Sequence, residues 1–143
     1  MEIDLADRQD SLPVPEADVR AAATRAFEME GRNGELSIVL VDDEEMIDLN
    51  TRFHDRARTT DVLAFPYEED SGGLLRGEII VNTDQAIRVA AEHPHSPQDE
   101  LLLYVVHGAL HLLGYDDHDP DDTRAMRARE QDVLQELDRQ VEY

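Results

Sequence analysis

The sequence predicts an α+β fold: a single domain with a small mixed sheet, helices packed on it, and one buried helix that ends in a glycine turn. Three observations lead there. Short apolar runs and helical stripes follow in the order strand–helix–strand–helix, then paired strands, then helices. Leu101–Val106 is apolar with almost no interruption, which marks a helix buried in the middle of a domain. A chain of 143 residues without internal repeat or low-complexity tract is most simply one domain, 1–143, long enough to bury a core.

Each element can be justified in turn. Glu2–Ala6 alternates weakly and suits an edge strand, broken by Pro13 and Pro15. Glu16–Met29 carries Val19, Ala22, Ala23, Ala26 and Phe27 at three- and four-residue spacing, a helical stripe. Gly31–Gly34 reads as a turn and Leu36–Val41 as a strand. Asp43 is expected to cap a helix that buries Met46, Ile47 and Leu49, with acids in its first turn. Asp61–Pro66 reads as a strand stopped by its proline, Ser71–Gly73 as a flexible link, and Gly77–Asn82 as another strand. Thr83 or Asp84 is expected to cap a helix through Ala91, which His93–Pro97 ends. Pro97 suits the first turn of the buried helix, about Gln98–Leu113. The acidic run Asp119–Asp122 reads as a solvated loop, and Arg124–Glu142 as a last amphipathic helix with Met126, Val133, Leu134 and Leu137 inward.

Composition narrows the function. There is no Cys, so no disulfide or thiolate ligand is available, and cytoplasm is the expected compartment. The first ten residues are acidic, unlike a signal or transit peptide, and no apolar run suits a membrane span. Against 34 acidic residues stand 13 basic ones, all Arg, for a net charge of −21. That excess argues against a broad basic face coating nucleic acid, though not against a small phosphate contact. The one net-positive stretch is Thr51–Thr60, TRFHDRARTT, where Arg can bind phosphate bidentately. His93 and His95 read as ordinary surface residues.

Three of the 6 His fall in HGALHLLGYDDHD, His107–Asp119. Residues four apart share one helix face, so His107 and His111 can direct two imidazoles at one ion. Gly114 lets the chain turn out of the helix, and Asp116, Asp117, His118 and Asp119 follow as sources of a third ligand. Three protein ligands with an open position is the pattern of a catalytic zinc site. Helical metallopeptidases place Glu after the first His as general base, and here that residue is Gly108.

HGALHLLGYD resembles the signature of the YbeY family, metal-dependent bacterial endoribonucleases of ribosomal RNA maturation. TDVLAFP at Thr60–Pro66 resembles that family's T-[DN]-V-L-S-F-P segment. Leu49, Asn50, Gly77–Asn82 and Glu100 agree in type and order. Two positions depart from the pattern. The family's third metal-binding His falls at Asp117, with His118 one residue late, and a swap rearranges the turn less than an insertion. Asp117 is therefore preferred over His118. The family's Arg in the segment before TDVL falls at His54, so Arg52, Arg56 or Arg58 can supply its role.

The resemblance implies a zinc-dependent, single-strand-specific endoribonuclease, with one zinc ion per chain held by His107, His111 and Asp117 or His118. His54, Arg56 and Asp116 are the expected catalytic residues, Asp116 as a proton carrier. The implied task is 3′-end maturation of small-subunit (16S) ribosomal RNA and ribosome quality control. The implied partners are the small ribosomal subunit, a small-subunit ribosomal protein and a ribosome-assembly GTPase, with no membrane. Two rivals stand beside it: a non-catalytic assembly factor braced by metal, and a metallopeptidase without its Glu.

Overall fold

The computed structural model describes residues 1–143 as a four-stranded mixed sheet with five helices. The strands are β1 (Glu2–Asp7), β2 (Asn33–Val41), β3 (Val62–Glu69) and β4 (Leu74–Asn82). The helices are α1 (Glu16–Met29), α2 (Asp43–His54), α3 (Thr83–Ala90), α4 (Pro97–Leu112) and α5 (Pro120–Glu136). The strand order is β1-β2-β4-β3, with β1, β2 and β4 parallel and β3 antiparallel on the β4 edge. The α+β architecture expected from the sequence is the one observed. No helix is long and apolar enough to cross a membrane.

Period-two burial divides the sheet into two faces. Leu36, Ile38 and Leu40 of β2, with Leu75, Ile79 and Val81 of β4, face the large core formed with α1, α4 and α5. On the opposite face Val41, Leu63 and Ile80 meet Met46 of α2 in a smaller core. Burying the larger core removes most of the apolar side-chain area of α4 from water, at roughly 25 cal/mol per Å². That contribution explains why α4 tolerates a sequence with almost no polar face.

Several local expectations need correcting. Asp42 caps α2 by accepting from the Glu45 amide at 2.9 Å, while Asp43 turns to Arg88. Ile47 is exposed rather than buried. Asn82 caps α3 through the Asp84 and Gln85 amides, because its side chain leaves the strand at the bend where Thr83 already points inward. Strand β2 starts at Asn33, inside the expected turn. Strand β3 runs through Pro66, since an edge strand can aim the missing N–H away from the ladder, and a bulge follows between Pro66 and Glu68.

Ser71–Gly73 is a tight hairpin turn, not a slack link. Asp70 Oδ1 accepts from the Gly72 and Leu74 amides, and Gly73 takes the left-handed backbone with φ +84°. Asp119 caps α5 by accepting from the Asp122 amide, so the acidic run opens a helix instead of forming a loop. That helix ends at Glu136, after which Asp138 adopts φ +57° and the chain folds back along the core. The side chain of His95 is only 4% exposed and lies 2.6 Å from Glu100, so it is not a surface residue.

Candidate metal centre

The centre begins with the packing of α4. Ser96 caps the helix by accepting from the Asp99 amide at 3.1 Å, and Pro97 fills its first turn. Gly108 lies directly on the sheet: a Cβ there would stand 2.7 Å from Ile79 Cγ2 and 3.1 Å from Val62 Cγ2. A side chain at 108 would press into Ile79 and Val62, so this position has no room for a general base reaching the imidazoles. Seating Gly108 against β3 and β4 turns His107 and His111, one helical turn apart, toward the rim of the sheet.

Both imidazoles are oriented from behind. His111 Nδ1 is 3.1 Å from the Tyr115 carbonyl, which can only accept, so that nitrogen carries a proton. His107 Nδ1 donates to Glu130 Oε2 at 2.6 Å, and Glu130 is 2% exposed. The other carboxylate oxygen of Glu130 accepts from the Tyr143 hydroxyl at 2.5 Å. When both rings are neutral, with their protons on Nδ1, the two Nε2 atoms turn their lone pairs toward each other at 3.1 Å. Two acceptors at that distance repel, and a cation shared between them, a proton or a metal ion, removes the conflict. Tetrahedral ligation at about 2.0–2.1 Å separates donor atoms by roughly 3.3 Å, close to the spacing seen.

Asp117 is the third candidate donor. Its Oδ2 lies 3.8 Å from His107 Nε2 and 3.9 Å from His111 Nε2. The three groups each offer an atom within 4.8 Å of the others. Gly114 makes this possible with φ +104°, a backbone that L side chains rarely adopt. The reversal there also brings the Tyr115 carbonyl under His111. His118 turns outward with 86% of its side chain exposed, and its Nδ1 lies 2.8 Å from Asp116 Oδ2. The donor set is thus two imidazoles and one carboxylate, which suits a divalent ion of the zinc type.

The electrostatics agree. Burial opposes charge on His107, but the Glu130 hydrogen bond and charge outweigh it, with Asp61 and Asp117 adding, and hold its pKa above the ordinary imidazole value. The same negative surroundings attract a metal cation, which competes with that proton for Nε2. Beside the donors opens a cavity of about 290 Å³, lined among others by Asp61, Gln85, His107, Asp117, Arg127 and Tyr143.

His54 and Arg56 lie elsewhere. They line a separate cavity of about 400 Å³ with Asn50, Arg58, Thr60 and Leu63, at the start of β3. Thr60 lines this cavity, and the next residue, Asp61, lines the one beside His107. The sequence reading missed Glu130 and Asp61. Glu130 had a legible signal: it stands four residues after Met126 and three before Val133, a charge set in the inward stripe of α5.

Comparison with known proteins gives a consistent picture. The family model described as Endoribonuclease YbeY matches residues 4–138. A curated Endoribonuclease YbeY of Carboxydothermus hydrogenoformans is 34% identical over 137 residues, covering 94% of this chain and 96% of the relative. Another, from Halorhodospira halophila, is 39% identical over 129 residues, covering 86% and 84%. The solution structure of a Thermotoga maritima protein superposes with a TM-score of 0.63 at 26% identity, covering 95% of this chain and 91% of that one.

Proposed function

Because this chain belongs to the YbeY family of endoribonucleases, enzymes that hydrolyse RNA phosphodiester bonds, we propose that it cuts single-stranded ribosomal RNA with the help of one zinc ion. The proposed task is maturation of the 3′ end of small-subunit ribosomal RNA and ribosome quality control, in the cytoplasm. A small-subunit ribosomal protein and a ribosome-assembly GTPase are the proposed partners. The observation that carries this reading is the pair of facing Nε2 atoms with Asp117 beside them, at the mouth of a cavity. Three protein donors, rather than four, is the pattern of catalytic sites. A metallopeptidase is disfavoured by the absence of space for a base at Gly108.

The residues divide the work as follows. His107, His111 and Asp117 hold the ion, and Glu130 and the Tyr115 carbonyl fix the two rings. When bound, the ion supplies Lewis acidity toward a phosphoryl oxygen. Arg56, with His54 and Arg58, binds flanking phosphates in the second cavity. Two carboxylates, Asp116 and Asp61, are the proposed acceptors of a proton from the attacking group. Asp116 is bonded to His118. Asp61 accepts from the Val62 amide and the Thr60 hydroxyl through Oδ1 and lines the cavity beside His107, leaving Oδ2 for the proton.

The test is cleavage of a single-stranded RNA carrying the 3′ end of small-subunit ribosomal RNA, before and after chelation and after reloading with zinc. Loss on chelation and recovery on reloading support the reading. Undiminished cleavage by protein shown to be metal-free would refute it. Asp61→Asn is expected to slow the reloaded enzyme more than Asp116→Asn does.

A further inference from the structure

Phe53 poses a problem that the metal centre does not solve. The chain has 3 Phe, 4 Tyr and no Trp, yet this ring sits on the last turn of α2 with 58% of its residue surface exposed. Its inner side packs on Phe65 of β3, with centroids 5.2 Å apart and planes at 52°. The His54 ring lies nearly parallel to Phe65, at 10°, with centroids 6.0 Å apart. Three rings therefore cluster on the α2 side of the β3 edge, with Phe53 tilted against Phe65.

The charges beside those rings are unusual for this chain. Most arginines here are held by carboxylates, as Arg8, Arg32, Arg76, Arg88 and Arg139 are. Arg56 and Arg58 have no carboxylate partner, despite 34 acidic residues in the chain. They share the 400 Å³ cavity with His54, which belongs to the ring surface.

The loop that carries them is anchored from inside. Asn50, 5% exposed, donates to the Arg58 carbonyl at 2.9 Å. Asn82, with no exposed surface, donates to the Thr59 hydroxyl at 2.7 Å and the Thr60 carbonyl at 3.1 Å. Two buried amides thus fix the backbone while the guanidinium groups stay free. An anchored loop with free cations beside an exposed aromatic surface matches a ligand that has both phosphates and flat rings.

We propose that Phe53, backed by Phe65 and His54, is a base-stacking platform for single-stranded RNA, with Arg56 and Arg58 holding the phosphates that join the stacked nucleotides. The proposal rests on the nuclease reading and deepens it by giving a cause for strand selectivity. Stacking accepts any base, so the platform is sequence-tolerant, and a duplex keeps its base faces internal and cannot use it. A neutral peptide would use the exposed ring but not the pair of free cations.

The experiment measures binding of a labelled single-stranded 2′-O-methyl RNA, which resists cleavage, to the zinc-loaded full chain. Phe53→Leu keeps an apolar contact with Phe65 and removes the flat ring; Phe53→Trp keeps the ring and reports by fluorescence. The platform predicts that Phe53→Leu weakens binding about 5- to 100-fold. Zinc content should be unchanged, and so should the slope of affinity against salt, because stacking releases no counterions. Phe53→Trp should bind as wild type does, its emission quenched by RNA. Wild-type affinity in Phe53→Leu, or Trp emission indifferent to bound RNA, overturns the platform and points to a protein-docking role for the ring. If that variant also cuts RNA normally, the nuclease reading survives. If wild-type protein neither binds nor cuts RNA, platform and nuclease reading fall together.

Discussion

At the scale of single residues, the centre depends on which atoms are left bare. Asp117, rather than His118, comes within 4 Å of both imidazoles, because the Gly114 reversal aims the third residue after it back at the helix. Asp117→Ala should therefore lose most zinc affinity, and His118→Ala should stay within a few-fold of wild type, as read by a zinc-binding titration. The opposite ranking would reassign the ligand. Glu130 acts one step further out, holding His107 in the tautomer that frees Nε2. Glu130→Gln should weaken zinc affinity by roughly 10- to 100-fold, the usual effect of removing a carboxylate behind a metal-bound His. A calorimetric titration with unchanged affinity would show that Glu130 is only a buried partner. The motif made His107, His111 and the turn legible from the sequence, since spacing and the glycine determine them locally. Glu130 and Asp61 come from 23 and 46 residues away along the chain, so their proximity is a product of tertiary packing.

At the scale of elements, α4 is placed by Gly108 and the β3 loop by a polar knot. Gly108→Ala should destabilise the protein by about 1–3 kcal/mol, because the new methyl meets Ile79 and Val62 in a packed core. A melting temperature equal to wild type would mean that the sheet yields at little cost. The knot is centred on Asp43, which accepts from Arg88, Asn82 and Thr59. Arg88 holds its carboxyl well below the usual carboxylate range, against the opposing effect of burial, with Asn82 and Thr59 helping. A folded pKa below the unfolded one gives stability that is full above about pH 4 and lost as pH falls toward the folded value. The stability gap between wild type and Asp43→Asn should thus be constant from pH 5 to 8 and shrink below about pH 4. A gap that grows on acidification contradicts this. Helix positions were well legible from periodicity, whereas their caps were not. Asn82 and Asp42 each stand next to another residue able to cap, and only the direction of the incoming chain decides between neighbours. Pro66 misled for a related reason: whether a proline ends a strand depends on whether that strand is at an edge, and strand order is not visible in one-dimensional alternation.

At the scale of the whole molecule, a chain of net charge −21 has to hold a polyanion. In the proposed account its acidic body repels RNA and the short segment around Arg56 and Arg58 attracts it, beside a candidate metal centre that would add positive charge when loaded. Few counterions are displaced, so the slope of log affinity against log salt should have a magnitude of about 2 or less, falling by about one when Arg56 is changed to Ala. A steep slope would place the RNA on some other surface. The sheet edge at β3 is where all these parts meet, with α4 and its imidazoles on one face and α2 with its aromatic ring on the other. The central claim is that RNA cleavage depends on one ion held by His107, His111 and Asp117. The most direct measurement is cleavage of single-stranded RNA by metal-stripped protein as zinc is added in steps, with bound zinc determined at each step, for wild type and for the His107→Ala, His111→Ala double variant. Activity should rise in proportion to occupancy and saturate at one ion per wild-type chain, while the double variant neither retains zinc nor cuts. Full cleavage by the stripped protein, or by a double variant that holds no zinc, would contradict the claim.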